Sequence, residues 1–268
     1  MSMKTLTSNL RLFWQGTLLS YVALFSWLRP ITYAASKIVS PLMQIFFFTF
    51  LGTFATGKSN AHFYVIGNAV QVAAVSGIYG VTLSVGGERW SGTLVYLFGT
   101  PANRMALFFG RAFMHIIDGS IGVVLAFVWG VTLLGLDLSH TSLPSLALTI
   151  FVTTLSTCGL GLLMGCLSLL TANVMFVNNA VYFLLLIFSG ANLEISALPG
   201  WMQFISSILP LTRGIASARA LIAGAGFQDI LPLLVQELGI GLAYGLLGYF
   251  LFKWVEISAK RRGTLETV

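Results

Sequence analysis

The chain has 268 residues, 57% of them hydrophobic and 8% charged, with a net charge of +6. Soluble domains carry about 25% charged residues, and a water-facing surface cannot be covered by so few polar groups. With a mean hydropathy of +0.90, the balance argues against a cytoplasmic enzyme, a nucleic-acid-binding domain or a secreted disulfide scaffold, and the positive charge reads as membrane topology.

The first stretch, Leu6–Leu28, is apolar but interrupted by Arg11, Gln15, Thr17 and Ser20. Trp14 and Trp27 suit the headgroup boundary, and Arg29-Pro30 ends it. This predicts an interfacial helix within residues 1–30 rather than a seventh span. It has no clean apolar core followed by a small-residue cleavage site, so it does not read as a cleavable signal.

A bilayer core needs about 20 apolar residues per helix. Six runs meet that length: 38–56, 62–84, 106–135, 145–170, 174–194 and 231–253. They are apolar on every face, unlike the alternating segments of about 10 residues in a transmembrane barrel. Between the fifth and sixth lies Ile195–Ala223, apolar but broken by Pro199-Gly200 and Pro210. A backbone break at that depth must be covered by protein or face water. The expectation is an extracellular re-entrant helical hairpin over 196–228.

The predicted fold is thus all-α and integral to the membrane, one domain over 1–268. Spans one to five occupy 31–195, span six 229–255 and a cytoplasmic tail 256–268. With both termini cytoplasmic, all of the 14 Lys and Arg residues except Lys58, Arg213 and Arg219 lie inside, as the positive-inside rule requires. The expected location is a cell membrane, a bacterial inner membrane or a plasma membrane.

Several motifs lack their structural context. Gly52-Thr-Phe-Ala-Thr-Gly57-Lys58-Ser59 matches a phosphate-binding loop letter for letter. That loop needs a preceding strand and a helix opening at Lys-Ser, whereas here an apolar run precedes it and the topology places it outside. Leu83–Glu88 loosely follows an ATPase signature loop with an inserted residue, and the apolar run ending at Asp118 has no Glu after it. Cys158 and Cys166 would lie about 12 Å apart along a helix, too far for a disulfide. His62, His115 and His140 are scattered, so neither a metal centre nor a catalytic cluster is expected. Gly161-x-x-x-Gly165 and Gly241-x-x-x-Gly245 fit close helix packing.

Intramembrane ionisable groups carry more information, because each costs several kcal/mol unless paired or hydrated. Asp118 and Glu237 are candidates for local pairing or for lining a transport path. Phe46 and Phe47, in the first span, are further path candidates.

The connection Glu88–Arg104 combines charges with an amphipathic Leu94–Phe98 core. It reads as a short helix on the inner membrane face that fills a groove on a soluble partner, with Glu88 and Arg89 at its charged rim. The plainer reading is a solvated loop with one lipid-facing side.

This stretch resembles the cytoplasmic loop of the type-2 permease family of ABC exporters, approximately Glu-Arg-x-x-Gly-Thr-Leu-Glu-x-Leu-x-x-Thr-Pro-x-x-Arg. Glu88, Arg89, Gly92, Thr93, Leu94, Leu97, Thr100, Pro101 and Arg104 match it; Val95 departs where the family often has Glu. Arg29-Pro30, Pro41-Leu42, Leu198-Pro199-Gly200-Trp201, Pro210-Leu211-Thr212 and Arg219 extend the resemblance over roughly 10–255.

The resemblance implies the transmembrane subunit of an ATP-driven exporter. Two permease chains, identical or homologous, would pair in the lipid above a cytoplasmic ABC ATPase dimer. ATP and Mg would be bound by that partner, with no cofactor, catalytic or metal site in this chain. The nine matching loop residues would form the coupling helix. Family substrates include drugs, lipids, peptides and lipid-linked glycans, and the 21 Phe suit an amphipathic cargo. The alternative, an ATP-independent secondary transporter or channel, would call for inverted repeats or a string of intramembrane acids; neither is evident.

Overall fold

The computed structural model describes residues 3–27, 30–90, 92–93, 96, 99, 103–170 and 173–262. Every regular element among them is helical. In order these are α1 (Met3–Trp27), α2 (Pro30–Thr56), a 3-10 turn (Lys58–Asn60), α3 (Ala61–Gln71), a π-turn (Val75–Gly80) and α4 (Val81–Trp90). Then follow α5 (Arg104–Leu134), α6 (Leu143–Ser168), α7 (Val174–Phe188), a 3-10 turn (Ile195–Ala197), α8 (Gly200–Ile208), α9 (Thr212–Ile222) and α10 (Phe227–Arg262).

Five segments are long and apolar enough to cross a membrane: Ile31–Thr56, Lys58–Gly87, Arg104–Leu134, Leu143–Ser168 and Phe227–Ser258. The run expected as a fifth span over 174–194 forms a shorter helix. α7 has 15 residues, about 22 Å, against a hydrocarbon core of about 30 Å. Polar side chains stop it early. Gly190 takes φ 84, the Ser189 hydroxyl donates to Gln71 Oε1 at 2.9 Å, and Asn68 Nδ2 donates to Asn192 Oδ1 at 2.9 Å. The chain leaves α7 by docking on α3. The first span also departs from expectation: α2 begins at Pro30, which brings Lys37 inside the helix.

The core is α6 against the Lys58–Gly87 segment. In each, 72% of the most apolar stretch is buried, compared with 22% in α2 and α10. Lipid is as apolar as leucine, so spans associate through close packing of small residues. A Cβ on Gly161 would strike the Gly77 carbonyl oxygen, and one on Gly159 the carbonyl oxygen of Gly241. α6 is therefore clamped between the π-turn and α10. Its buried threonines donate to its own carbonyls, Thr153 to Thr149 at 2.6 Å and Thr154 to Ile150 at 2.8 Å, which satisfies them without water. Cys158 and Cys166 are buried and free.

α1 crosses the start of α5, where Gly16 and Gly110 let the two backbones meet. Thr17 Oγ1 donates to the Gly110 carbonyl at 2.9 Å. Leu10, Trp14, Leu18 and Val22 form an exposed row at four-residue spacing on α1. Beyond α5, Gly135 at φ 69 turns the chain, and the Ser139 N–H donates to the Asp137 carboxylate at 2.8 Å. That bond holds the Asp137 carboxyl below the usual carboxylate range.

The phosphate-loop letters fall on the end of α2 and the 3-10 turn, with Gly52 against the Tyr64 ring and Gly57 at φ 95. Among the described residues no strand precedes them; the apolar helix α2 stands where the loop needs a strand. Leu83–Glu88 is helical within α4.

The two glycine pairs separate by environment. Gly161 has no room for a side chain, whereas Gly245 has no atom within 4 Å of a built Cβ. Gly161→Leu is expected to cost about 1–3 kcal/mol by overpacking, and Gly245→Leu nothing measurable. Thermal unfolding of the two purified variants checks this; equal midpoints would contradict it.

Candidate functional site

The most polar place within the spans is built by three segments. α2 supplies Tyr33 and Lys37, one helical turn apart, the π-turn supplies Ser76, and α5 supplies Asp118. Lys37 Nζ pairs with Asp118 Oδ2 at 2.5 Å, and the two side chains are 19% and 4% exposed. Ser76 Oγ donates to Asp118 Oδ2 at 2.7 Å, the Tyr33 hydroxyl donates to Asp118 Oδ1, and Lys37 Nζ donates to Ser76 Oγ at 3.0 Å. A π-turn inserts a residue into a helix and re-aims its side chains; here it turns Ser76 toward the carboxylate. His115, one turn before Asp118, is buried beside Gly80. Both Asp118 oxygens are engaged, so the cluster ties three spans together.

A second ionic tie lies at the start of α5. Arg104, its first residue, pairs with Glu256 near the end of α10, both side chains mostly buried. Asn103 caps α5 by accepting from the Ala106 N–H at 3.3 Å. Arg111 Nη1 donates to the Ser84 carbonyl of α4 at 2.6 Å. The α4–α5 connection therefore stands on two braced feet, one on α4 and one on α10.

Within that connection, Glu88 and Arg89 fall in the last turn of α4. Gly92 is exposed at φ 66, Thr93 is exposed, and Tyr96 is 78% exposed. Leu94, Leu97, Thr100 and Pro101 lie outside the described residues, as do the side chains of Glu88 and Arg89.

Glu237 is fully buried on α10 and holds the entry to α9. Its Oε1 accepts from the Leu211 N–H at 2.7 Å and its Oε2 from the Arg213 N–H at 3.3 Å. A carboxylate there satisfies the free N–H groups of a helix start and holds Leu211 at φ 77. On the same short helix, Arg219 Nη2 donates to the carbonyls of Phe63 at 3.0 Å and Ala191 at 3.2 Å, and its guanidinium lies 3.5 Å from the Phe63 ring centre. The α8–α9 pair is thus fastened to α3, α10 and the turn after α7. Phe46 is half-buried against Phe50, and Phe47 is exposed beside Phe48. The fold does not bring Phe46, Phe47, Asp118 and Glu237 to one place: Asp118 belongs to the ionic cluster and Glu237 to the hairpin anchor.

A family model described as ABC-2 type transporter matches residues 16–223. The chain belongs to the ABC-2 type transporter family. No curated protein matches it. As an ABC-2 chain it is a multi-pass membrane protein of a permease family, whose members in general associate with an ABC ATPase. The match spans both ionic residues of the Lys37–Asp118 pair, the α4–α5 connection and the α8–α9 pair; α10, with Glu237 and Glu256, follows it.

Sequence reasoning missed Lys37, Tyr33, Ser76, Glu256 and the carbonyl partners of Arg219 in this ABC-2 chain. Lys37 borders the first apolar run and was counted as a cytoplasmic charge. The available signal was Tyr33 and Lys37 at helical spacing ahead of that run, which places them on one face.

Removing one partner of a buried pair leaves a lone charge and costs about 3–5 kcal/mol. Lys37→Met and Asp118→Leu are each expected to lower the unfolding midpoint strongly. The double substitution should recover most of the loss. Additive losses in this double-mutant cycle would show that the two groups do not act as a pair.

Proposed function

We propose that this ABC-2 chain is the transmembrane subunit of an ATP-driven exporter. It pairs with a second permease chain, identical or homologous, and docks on a cytoplasmic ABC ATPase dimer that binds ATP and Mg. The cargo is amphipathic: a drug, a peptide, a lipid or a lipid-linked glycan.

The observation that carries this reading is the α4–α5 connection, with its Glu88–Arg104 loop pattern inside the family match and its two feet braced on α4 and α10. A load applied by an ATPase at Gly92–Leu97 is transmitted through Arg111 to α4 and through Arg104 to α10. α5 then carries it to the Lys37–Asp118 pair and so to α2. Packed helices respond to such loads by rigid-body rearrangement. Glu88 and Arg89 contribute charge at the rim of the joint, Leu94 and Leu97 its apolar contacts, and Thr100-Pro101 the return toward α5.

In this reading both termini are cytoplasmic and α7 makes the fifth crossing. At about 22 Å it leaves the last part of the membrane to the segment after Phe188 and to α8 and α9. The exposed backbone of that segment needs cover at membrane depth. Arg219, Glu237 and the Asn68–Asn192 bond supply the cover.

The test uses retention of the ATPase on the tagged permease. Gly92→Asp and Leu94→Asp place an unpaired charge in the joint and are expected to reduce retention by about tenfold or more at unchanged permease level in the membrane. Glu88→Ala should reduce it less, because a rim charge tunes association more than it holds the contact. Normal retention in both Asp variants would overturn the coupling role.

A further inference from the structure

A groove of about 480 Å³ separates the α8–α9 pair from α10. Ser207 and Ile208 form one wall, and Gly239, Ala243 and Leu247 the other. Arg213 and Gln236 close one end, joined by a 2.9 Å bond from Arg213 Nε to Gln236 Oε1. The Tyr244 hydroxyl donates to the Ile208 carbonyl at 3.1 Å across the groove. No atom lies within 4 Å of a Cβ built on Gly239, so the space over that helix face is open.

One donor at the closed end is unspent. Arg213 Nη1 is shielded from solvent and has no hydrogen-bond partner among the described residues. The neighbouring Glu237 attracts Arg213 through space, but its two oxygens are spent on the backbone N–H groups of Leu211 and Arg213. A guanidinium at the head of an apolar channel complements an anion carrying a hydrocarbon tail. Its depth also fits. Gln236 lies about 25 Å along α10 from Lys253, which sets the two near opposite boundaries of a core of about 30 Å. Trp201, exposed on α8, is of a residue type that populates such a boundary.

We propose that this groove binds one phospholipid of net negative charge, with its phosphate at the Arg213 guanidinium and an acyl chain along Gly239, Ala243 and Leu247. None of the groove's lining residues belongs to the α4–α5 connection.

The experiment is native mass spectrometry of the detergent-purified full chain with dioleoyl phosphatidylglycerol, dioleoyl phosphatidylcholine and glycerol 1-phosphate. Phosphatidylglycerol should bind about tenfold more tightly than phosphatidylcholine: both offer a phosphate to Arg213, but only phosphatidylcholine brings a choline cation beside the guanidinium, a like-charge cost of about 1.4 kcal/mol. Arg213→Gln should abolish that preference and Arg213→Lys should keep part of it. Gly239→Leu, which fills the groove and leaves the guanidinium, should weaken both lipids, and Lys58→Gln should change nothing.

Equal binding of the two lipids, or a preference that survives both Arg213→Gln and Gly239→Leu, overturns the site. Competition by glycerol 1-phosphate at lipid concentrations would make it a free-phosphate site instead. A shift from dimer to monomer in Arg213→Gln would make it a contact between copies. Unfolding midpoints of the same samples separate loss of binding from loss of fold.

Discussion

A charged group carried into hydrocarbon is costly unless it finds a partner inside the protein, and the ties between the helices of this ABC-2 chain follow from that constraint. Asp118 meets it with Lys37, Ser76 and Tyr33, and in doing so fixes α2 against the second span and α5. Glu237 meets it with the backbone N–H groups at the start of α9, which fastens the short helices to α10. The threonines of α6, polar but uncharged, bond to their own helix. In lipid the apolar side chains do not choose these pairings, since each would be equally content facing an acyl chain.

The ties divide the molecule by rigidity. α6 and the Lys58–Gly87 segment meet through glycines with backbone contact, leaving no freedom to slide without clashes. α2 lies outside that core with most of its surface uncovered and is tied to α5 by the Lys37–Asp118 pair, whereas α10 is locked to α6 through Gly159 and Gly241 and tied to α5 by Arg104 and Glu256. α5 therefore connects the braced α4–α5 loop at one end with the Asp118 cluster about 21 Å further along its axis. The proposed coupling would use a stiff centre, a loosely covered α2 and a rod joining it to the α4–α5 loop. Packed interfaces of this kind switch between discrete arrangements rather than deform smoothly.

Much of this was legible in the sequence, for identifiable reasons. Length and uniform hydropathy located the five long spans, because a helix in lipid needs little more than enough apolar residues. Pro199-Gly200 and Pro210 marked the short helices, since proline interrupts the helical ladder. The family's loop pattern over Glu88–Arg104 was legible in the residues, and the family match covers it. The end of α7 was not, because it is set by Ser189 and Asn192 finding Gln71 and Asn68, partners more than 100 positions away. The role of Lys37 was hidden likewise: hydropathy treats a lysine bordering an apolar run as a topology signal, and only the fold brings Asp118 to it. The same Gly-x-x-x-Gly spelling covers a clamped Gly161 and an open Gly245, a difference no local pattern contains.

The central claim is that a partner ATPase drives these spans through the α4–α5 connection. Tyr96, 78% exposed on that connection, is the place to ask. With a photo-reactive benzoylphenylalanine at Tyr96 in native membranes, irradiation is predicted to attach the chain to an ABC ATPase, and the same group at Lys58 to leave that ATPase free. Adducts at Tyr96 formed only with lipid would contradict the account.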